Sequence, residues 1–70
     1  MKDYLYNIKF TEREKQLISL IRKGQENTEI STGLNLSKRT IETYRSRLLQ
    51  KTLSKNSAHM IHQSHEYNWL

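Results

Sequence analysis

The residues best suited to bind another molecule lie in one stretch from Ser37 to Lys55, which reads SKRTIETYRSRLLQKTLSK. The stretch contains six basic residues and one acidic residue, Glu42, so its net charge of +5 equals that of the whole protein. The basic and acidic residues outside it cancel one another. Lysine and arginine concentrated on one segment are typical of proteins that bind nucleic acid.

The same stretch predicts one amphipathic helix. Ser37 suits the N-cap, because its hydroxyl can accept a hydrogen bond from a free backbone N–H of the first turn. Ile41, Tyr44 and Leu48 recur at helical spacing and predict a buried stripe. The opposite face collects side chains that suit base edges and phosphates, namely Arg39, Glu42, Thr43, Ser46, Arg47 and Gln50. Basic residues flank the two faces at Lys38, Arg45 and Lys51.

Length and composition limit the possibilities further. A chain of 70 residues makes one small domain with a thin core. It has no cysteine, which excludes disulfides and cysteine-based zinc sites. No apolar run approaches the roughly 20 residues of a membrane span, and no signal-peptide pattern opens the chain. We therefore expect a soluble, cytoplasmic protein with no membrane partner.

The first third of the chain predicts an arm followed by a helix. Residues 1–9 show no regular period and are interpreted as an N-terminal arm or interdomain linker, whose apolar side chains could dock on the body. The domain proper is assigned to residues 10–70. Thr11 and Glu14 are spaced as a capping box, and Gly24 suits the end of the helix. Between them lies an apolar stripe made of Leu17, Ile18, Leu20 and Ile21.

The middle and end of the chain predict two more helices. One begins at Asn27 and ends near Asn35, a residue that tolerates the positive φ of a tight turn. The other begins at Asn56 or Ser57 and ends near Asn68, with Trp69 and Leu70 returning to cover the core. The predicted fold class is all-α, a four-helix bundle containing a helix-turn-helix, since a short helix and a tight turn precede the basic helix.

Several short motifs resemble the LuxR/GerE-type DNA-binding domain. They read FTERE at residues 10–14, NTEI at 27–30, LNLS at 34–37 and TIET at 40–43, with Lys51 after them. The resemblance runs from about residue 10 to the C-terminus. The sequence departs from the family at two places. Tyr44 stands where histidine is commonest, and after Lys51 the chain has Thr52 and Leu53 where the family usually has a leucine and a glycine. It implies a domain that binds double-stranded DNA and regulates transcription. Such domains occur as C-terminal effector domains of bacterial response regulators in two-component systems and as small stand-alone regulators.

The helix faces and the resemblance together predict which residues meet DNA. In the family the third helix lies in the major groove, and the resemblance places Glu42, Thr43 and Ser46 at base-contacting positions. Predicted base contacts come from Arg39, Glu42, Thr43, Ser46 and Arg47. Predicted phosphate contacts come from Asn27, Thr28, Lys38, Thr40, Arg45, Lys51 and Lys55.

The last helix carries two further candidate features. The family often dimerises through this helix, so Ala58, Ile61 and His65 are predicted to form a weak homodimer interface that is strengthened on DNA. His59, His62 and His65 recur every three residues and could share a metal ion. A fourth ligand is lacking beyond Glu66, so we predict neither a metal site nor a cofactor.

Other function classes receive less support from the residues. No thiol nucleophile, glycine-rich phosphate loop or paired-carboxylate cleft supports catalysis, so the protein is not predicted to be an enzyme. A sigma-factor region 4 has a similar helix-turn-helix and would be distinguished by tight association with core RNA polymerase. A helical protein-interaction module that uses the last helix and the C-terminal tail would show weak, salt-insensitive DNA binding.

Overall fold

The computed structural model describes residues 2–70, which form five helices and no strand. The helices are α1 (Lys2–Tyr6), α2 (Glu12–Arg22), α3 (Asn27–Leu34), α4 (Lys38–Lys51) and α5 (Ser57–Glu66). Within the described residues no helix has the length and apolar composition needed to cross a membrane. The predicted all-α class is confirmed, with one more helix than the four predicted.

The additional helix, α1, lies in the segment predicted to be an irregular arm. Leu5 is buried, Ile8 is half-buried against the core, and Tyr4 and Tyr6 remain exposed. The Trp69 indole donates from Nε1 to the Leu5 carbonyl at 2.7 Å, which attaches α1 to the C-terminal residues. A helix of five residues is too short to show a 3.6-residue period, so sequence patterning could not reveal it.

Helix α2 begins and ends as its sequence predicts. Thr11 Oγ1 accepts from the Glu14 amide at 3.1 Å, and the Glu14 carboxylate accepts from the Thr11 amide at 2.8 Å, so the capping box is confirmed. Gly24 adopts φ +86° directly after the C-cap. Leu17, Ile18 and Ile21 are buried and give α2 its place in the core.

Helices α3 and α4 are joined by the predicted tight turn. Asn35 adopts φ +55°, the left-handed conformation that asparagine tolerates better than most residues. Ser37 then caps α4 by accepting from the Thr40 amide at 3.0 Å. Ile30 of α3 and Ile41 of α4 are fully buried, so the two helices form a helix-turn-helix packed on the core.

The turn after α4 departs from what its residues prefer. Leu53 adopts φ +54°, a conformation that costs a non-glycine residue about 1–2 kcal/mol. Thr52 is fully buried before it, and its hydroxyl contacts the Leu48 carbonyl at 2.7 Å and the Ser54 hydroxyl at 2.7 Å. Gln63 of α5 donates to the Thr52 carbonyl at 3.1 Å and to Ser54 at 2.8 Å. This buried polar cluster fixes α5 against the end of α4.

The C-terminal residues complete the core around α5. Asn56 caps this helix by accepting from the His59 amide at 2.8 Å, and Asn68 adopts φ +55° after it. Trp69 is buried as predicted, whereas the prediction that Leu70 also covers the core is wrong, because 46% of Leu70 is exposed. The buried side chains of α5 are Met60, Gln63 and Ser64.

Candidate nucleic-acid interface

The polar face of α4 is open to solvent along its whole length. The five side chains predicted to contact bases are all exposed and line one shallow depression: Arg39, Glu42, Thr43, Ser46 and Arg47. Ile41 and Leu48 are buried on the other side of the helix, and Tyr44 is half-buried at the edge. Burial of Ile41 and Leu48 therefore orients α4 so that its long polar side chains project away from the core.

A second depression continues this face toward the start of α4. Arg39 and Arg47 line both depressions, and Ser37 and Thr40 line only the second. The Thr40 hydroxyl lies 2.7 Å from the Ser37 hydroxyl, within the helix cap. Lys38 is exposed beside them. The first turn of α4 thus joins a polar cap to exposed positive charge, an arrangement that suits an anionic backbone.

Glu42 has no ion pair in the described residues. Arginines lie three positions away on either side of it, at Arg39 and Arg45, yet within residues 2–70 neither forms a salt bridge with the Glu42 carboxylate. Glu42 instead lies exposed in the depression with Thr43 and Ser46. Its carboxylate is therefore free to accept hydrogen bonds from a partner molecule.

Two of the residues predicted to contact phosphates bind each other. Arg45 is half-buried and donates from one terminal nitrogen to Asn27 Oδ1 at 2.7 Å and from Nε to Ser57 Oγ at 2.9 Å. These bonds tie α4 to the first residues of α3 and α5. Arg45 and Asn27 therefore have a structural role that the sequence did not indicate, and their phosphate contacts stay predictions. Thr28, next along α3, is exposed.

Lys51 also has partners within the chain. Its ammonium group donates to the Glu14 carboxylate at 2.9 Å and to the Lys9 carbonyl at 2.8 Å, and it lies 5.3 Å from the centre of the Phe10 ring. The Tyr4 hydroxyl donates to the Lys51 carbonyl. These contacts fasten the end of α4 to α2 and to the N-terminal residues. The phosphate contact of Lys51 stays a prediction, and its ammonium group is already paired with the Glu14 carboxylate.

Glu14 links the capping box of α2 to the end of α4. Burial raises the pKa of its carboxyl, but the hydrogen bonds from Lys51 and Thr11 outweigh burial and hold the pKa below its ordinary range. A carboxyl whose pKa is lower in the folded than in the unfolded state stabilises the fold at neutral pH. That stabilisation is lost as the pH falls through the folded-state pKa.

We expect Glu14→Gln to lower the free energy of unfolding by about 1–2 kcal/mol at neutral pH, because Lys51 loses its charged partner. The difference between parent and variant should shrink as the pH falls through the pKa of Glu14. Urea unfolding across the acid range measures both effects. Glu12→Gln is the matched control, since the Glu12–Lys15 pair spans 3.8 Å with Glu12 almost fully exposed, and it should change stability by less than about 0.5 kcal/mol. A constant difference between parent and Glu14→Gln at every pH would contradict this account.

The three histidines of α5 have separate surroundings. His59 Nδ1 accepts from the Lys55 amide at 3.0 Å, and His65 Nδ1 lies 2.9 Å from an Arg22 guanidinium nitrogen. His62 is exposed. Among residues 2–70 no three His, Asp or Glu side chains lie close enough together to hold one metal ion. The three imidazoles thus do not converge on one point of the helix surface. Lys55, which precedes this helix, is exposed.

One basic residue near this surface was not singled out from the sequence. Arg13, in the first turn of α2, lines a cleft together with Tyr44 and Arg47 of α4. Arg13 is 31 positions from Tyr44 and 34 from Arg47 in the chain, so only the tertiary fold brings it to them. Arg13 lies inside the capping-box segment, and nothing in the sequence indicated that it lies near the predicted DNA-binding helix.

The chain is similar to known regulators over most of its length. The model of the family described as "Bacterial regulatory proteins, luxR family" matches residues 9–64. The probable transcriptional regulator ycf29 of Pyropia yezoensis is 45% identical over 65 residues, which cover 93% of this chain and 29% of that protein. The tetrathionate response regulatory protein TtrR of Salmonella typhimurium is 37% identical over 51 residues, which cover 73% of this chain and 25% of that protein.

A third relative is the response regulator UvrY of Escherichia coli, 49% identical over 41 residues that cover 59% of this chain and 19% of that protein. The chain thus spans less than a third of the length of each of these relatives. No solved structure matches it. The family match, the helix-turn-helix and the exposed basic face of α4 lead to one conclusion: the chain belongs to the luxR family of bacterial regulatory proteins, whose helix-turn-helix domains bind DNA to regulate transcription.

Proposed function

We propose that this chain is the DNA-binding output domain of a longer regulator of transcription, in which α4 enters the major groove. The observation that carries the proposal is the exposed polar face of α4, held outward by the buried Ile41 and Leu48. Two relatives are named as response regulators and match this chain over a quarter or less of their own length. We therefore favour the interpretation that this chain is part of a two-component response regulator over the interpretation that it is a stand-alone protein.

The contacts proposed for DNA follow from which side chains are free. Arg39, near the start of the face, and Arg47, farther along it, can reach base edges or phosphates. A bidentate arginine–guanine pair is the commonest specific contact. Thr43 and Ser46 can donate to or accept from either kind of group. Lys38, Thr28 and Lys55 are exposed at the margins of the helix-turn-helix, where phosphate contacts set its position.

A direct test combines selection with a salt titration. Duplexes bound from a random pool should share a short common sequence, and the logarithm of affinity for that sequence should fall linearly with the logarithm of salt concentration. Each phosphate contact contributes about 0.9 to that slope, and about four to six contacts are expected per domain. An affinity independent of salt, or a bound pool with no common sequence, would reject sequence-specific DNA binding.

Glu42 is expected to set base preference more than affinity. A carboxylate on this face is repelled by phosphates, but it can accept a hydrogen bond from the amino group of cytosine and so discriminate by about 1–3 kcal/mol. Glu42→Gln should bind random duplex at least as well as the parent while losing preference at one base pair of the selected site. Repeating the selection with the variant measures this. If every position of the site is unchanged and only affinity moves, Glu42 does not read a base.

We also propose that two copies associate on DNA through the exposed side of α5. Ala58 and His65 are exposed there, and Ile61 is half-buried between them. The apolar part of this surface is small, so the free protein should be mostly monomeric. A two-fold pair would bind half-sites about one helical turn apart.

Substitution of Ala58 tests the pairing, because Ala58 is exposed whereas Ile61 also contacts the core. Ala58→Glu should abolish cooperative binding to a duplex with two half-sites and leave affinity for one half-site within about twofold, since a charged residue disrupts an apolar contact. Ile61→Asp should act in the same direction with an added loss of stability. Sedimentation with and without DNA measures the association. Unchanged cooperativity in both variants would place the interface elsewhere.

A further inference from the structure

A cleft lies between the first turn of α2 and the middle of α4. Arg13 and Glu14 line it from α2, and Tyr44 and Arg47 line it from α4. Arg47 also lines both depressions on the polar face of α4, so the cleft is continuous with the surface proposed to meet DNA. Arg13 is exposed at its edge.

The charge of Arg13 is not neutralised by the neighbouring acidic residues. Glu14 pairs with Lys51 at 2.9 Å, and Glu12 pairs with Lys15 at 3.8 Å. Within residues 2–70 no salt bridge reaches the Arg13 guanidinium. Arg47 likewise has no salt bridge to any residue between Lys2 and Leu70, so the cleft presents two unpaired guanidinium groups beside one carboxylate that is paired with Lys51.

We propose that Arg13 binds a backbone phosphate of the DNA whose major groove holds α4. This inference rests on the proposed function and adds α2 to the elements that meet DNA. Arg13 is attached to α2, outside the helix that enters the groove, so its guanidinium can approach the phosphates at the groove edge while Arg47 lies deeper. A guanidinium suits a phosphate because it can donate two parallel hydrogen bonds. Such a contact would fix the orientation of α4 in the groove without reading sequence.

Affinity for the selected duplex, measured as a function of salt, tests the proposal. Arg13→Ala should weaken binding about three- to tenfold and lower the magnitude of the log–log salt slope by about 0.9, with the selected sequence unchanged. Arg13→Lys should recover most of the affinity, because a phosphate accepts a point charge. Lys15→Gln is the matched control, because it removes one positive charge from the same helix at a residue that is paired with Glu12. The salt slope of this variant should equal that of the parent.

The outcomes separate the two proposals. A parent protein without salt-dependent binding to any duplex would reject the proposed function itself. A parent that binds, with Arg13→Ala showing the same slope and affinity, would overturn the phosphate contact alone. A changed base preference in Arg13→Ala would also overturn it, because the residue would then read sequence. Thermal unfolding of Arg13→Ala, and of Arg13→Gln as a second variant, shows whether a loss of binding comes from a loss of fold.

Discussion

Replacing Trp69 by alanine is expected to lower the free energy of unfolding by about 3–5 kcal/mol, the usual effect of removing a buried tryptophan. The indole is 7% exposed, its ring centre lies 5.4 Å from that of Phe10 and 6.2 Å from that of Tyr67, and its Nε1 donates to the Leu5 carbonyl. The substitution therefore leaves a cavity and an unsatisfied carbonyl together. Since a domain of this size is stable by only about 4–10 kcal/mol, the loss removes a large part of that stability, and the variant should unfold at a markedly lower temperature than the parent.

Circular dichroism during urea unfolding measures the loss, and two variants define its cause. Trp69→Phe keeps an aromatic ring but removes the donor to Leu5, so it should lose about 1–3 kcal/mol. Leu70→Ala changes the exposed neighbour and should stay within about 0.5 kcal/mol of the parent. If Trp69→Ala were as stable as Leu70→Ala, residues 1–9 would be a linker that the domain does not need, and the attachment of α1 would carry no stability.

Replacing Arg47 by alanine is expected to weaken binding to the selected duplex about 10- to 100-fold, corresponding to about 1–3 kcal/mol for a lost arginine–base pair. Arg47 lines all three concavities that adjoin the polar face of α4, which places its guanidinium at the centre of the proposed interface. Its side chain makes no salt bridge within residues 2–70, so the substitution should leave stability within about 0.5 kcal/mol of the parent.

Arg47→Lys and Arg22→Gln complete this experiment. A lysine keeps the charge but not the planar pair of donors, so it should recover less than half of the lost binding free energy if Arg47 reads a base. Arg22→Gln removes the same charge from the end of α2, where Arg22 contacts His65, and should reduce affinity less than threefold. Equal losses in Arg47→Ala and Arg22→Gln would mean that net charge, rather than a specific contact, governs binding.

The parts of the fold that were predicted correctly depend on short-range chemistry. The capping box of Thr11 and Glu14, the left-handed turn at Asn35 and the cap at Ser37 each involve residues within four positions of one another. Helix α1 could not be predicted in this way, because Leu5 is held by Trp69 from the other end of the chain. Likewise, the left-handed Leu53 lies between Thr52 and Ser54, and both of these accept hydrogen bonds from Gln63 of the following helix.

The same distinction between short-range spacing and tertiary contacts applies to the candidate site. The exposed face of α4 follows from its 3.6-residue period, so Arg39 and Glu42 were placed correctly on it. Whether a basic residue on that helix is free depends on tertiary partners that spacing does not reveal. Arg45 is bound to Asn27 and Ser57, and Lys51 is bound to Glu14, so the sequence overstated how many basic side chains of this region lack a partner within the chain.

The position of the indole makes the docked N-terminal segment observable by fluorescence. Trp69 is the one tryptophan of the chain, buried where α1, Phe10 and the C-terminal residues meet. Neither α3 nor α4 contains a tryptophan, so DNA lying along α4 would not stack on the emitting ring. A shift of emission to longer wavelength therefore reports that water has reached the indole, as detachment of α1 would allow, separately from any event in the groove.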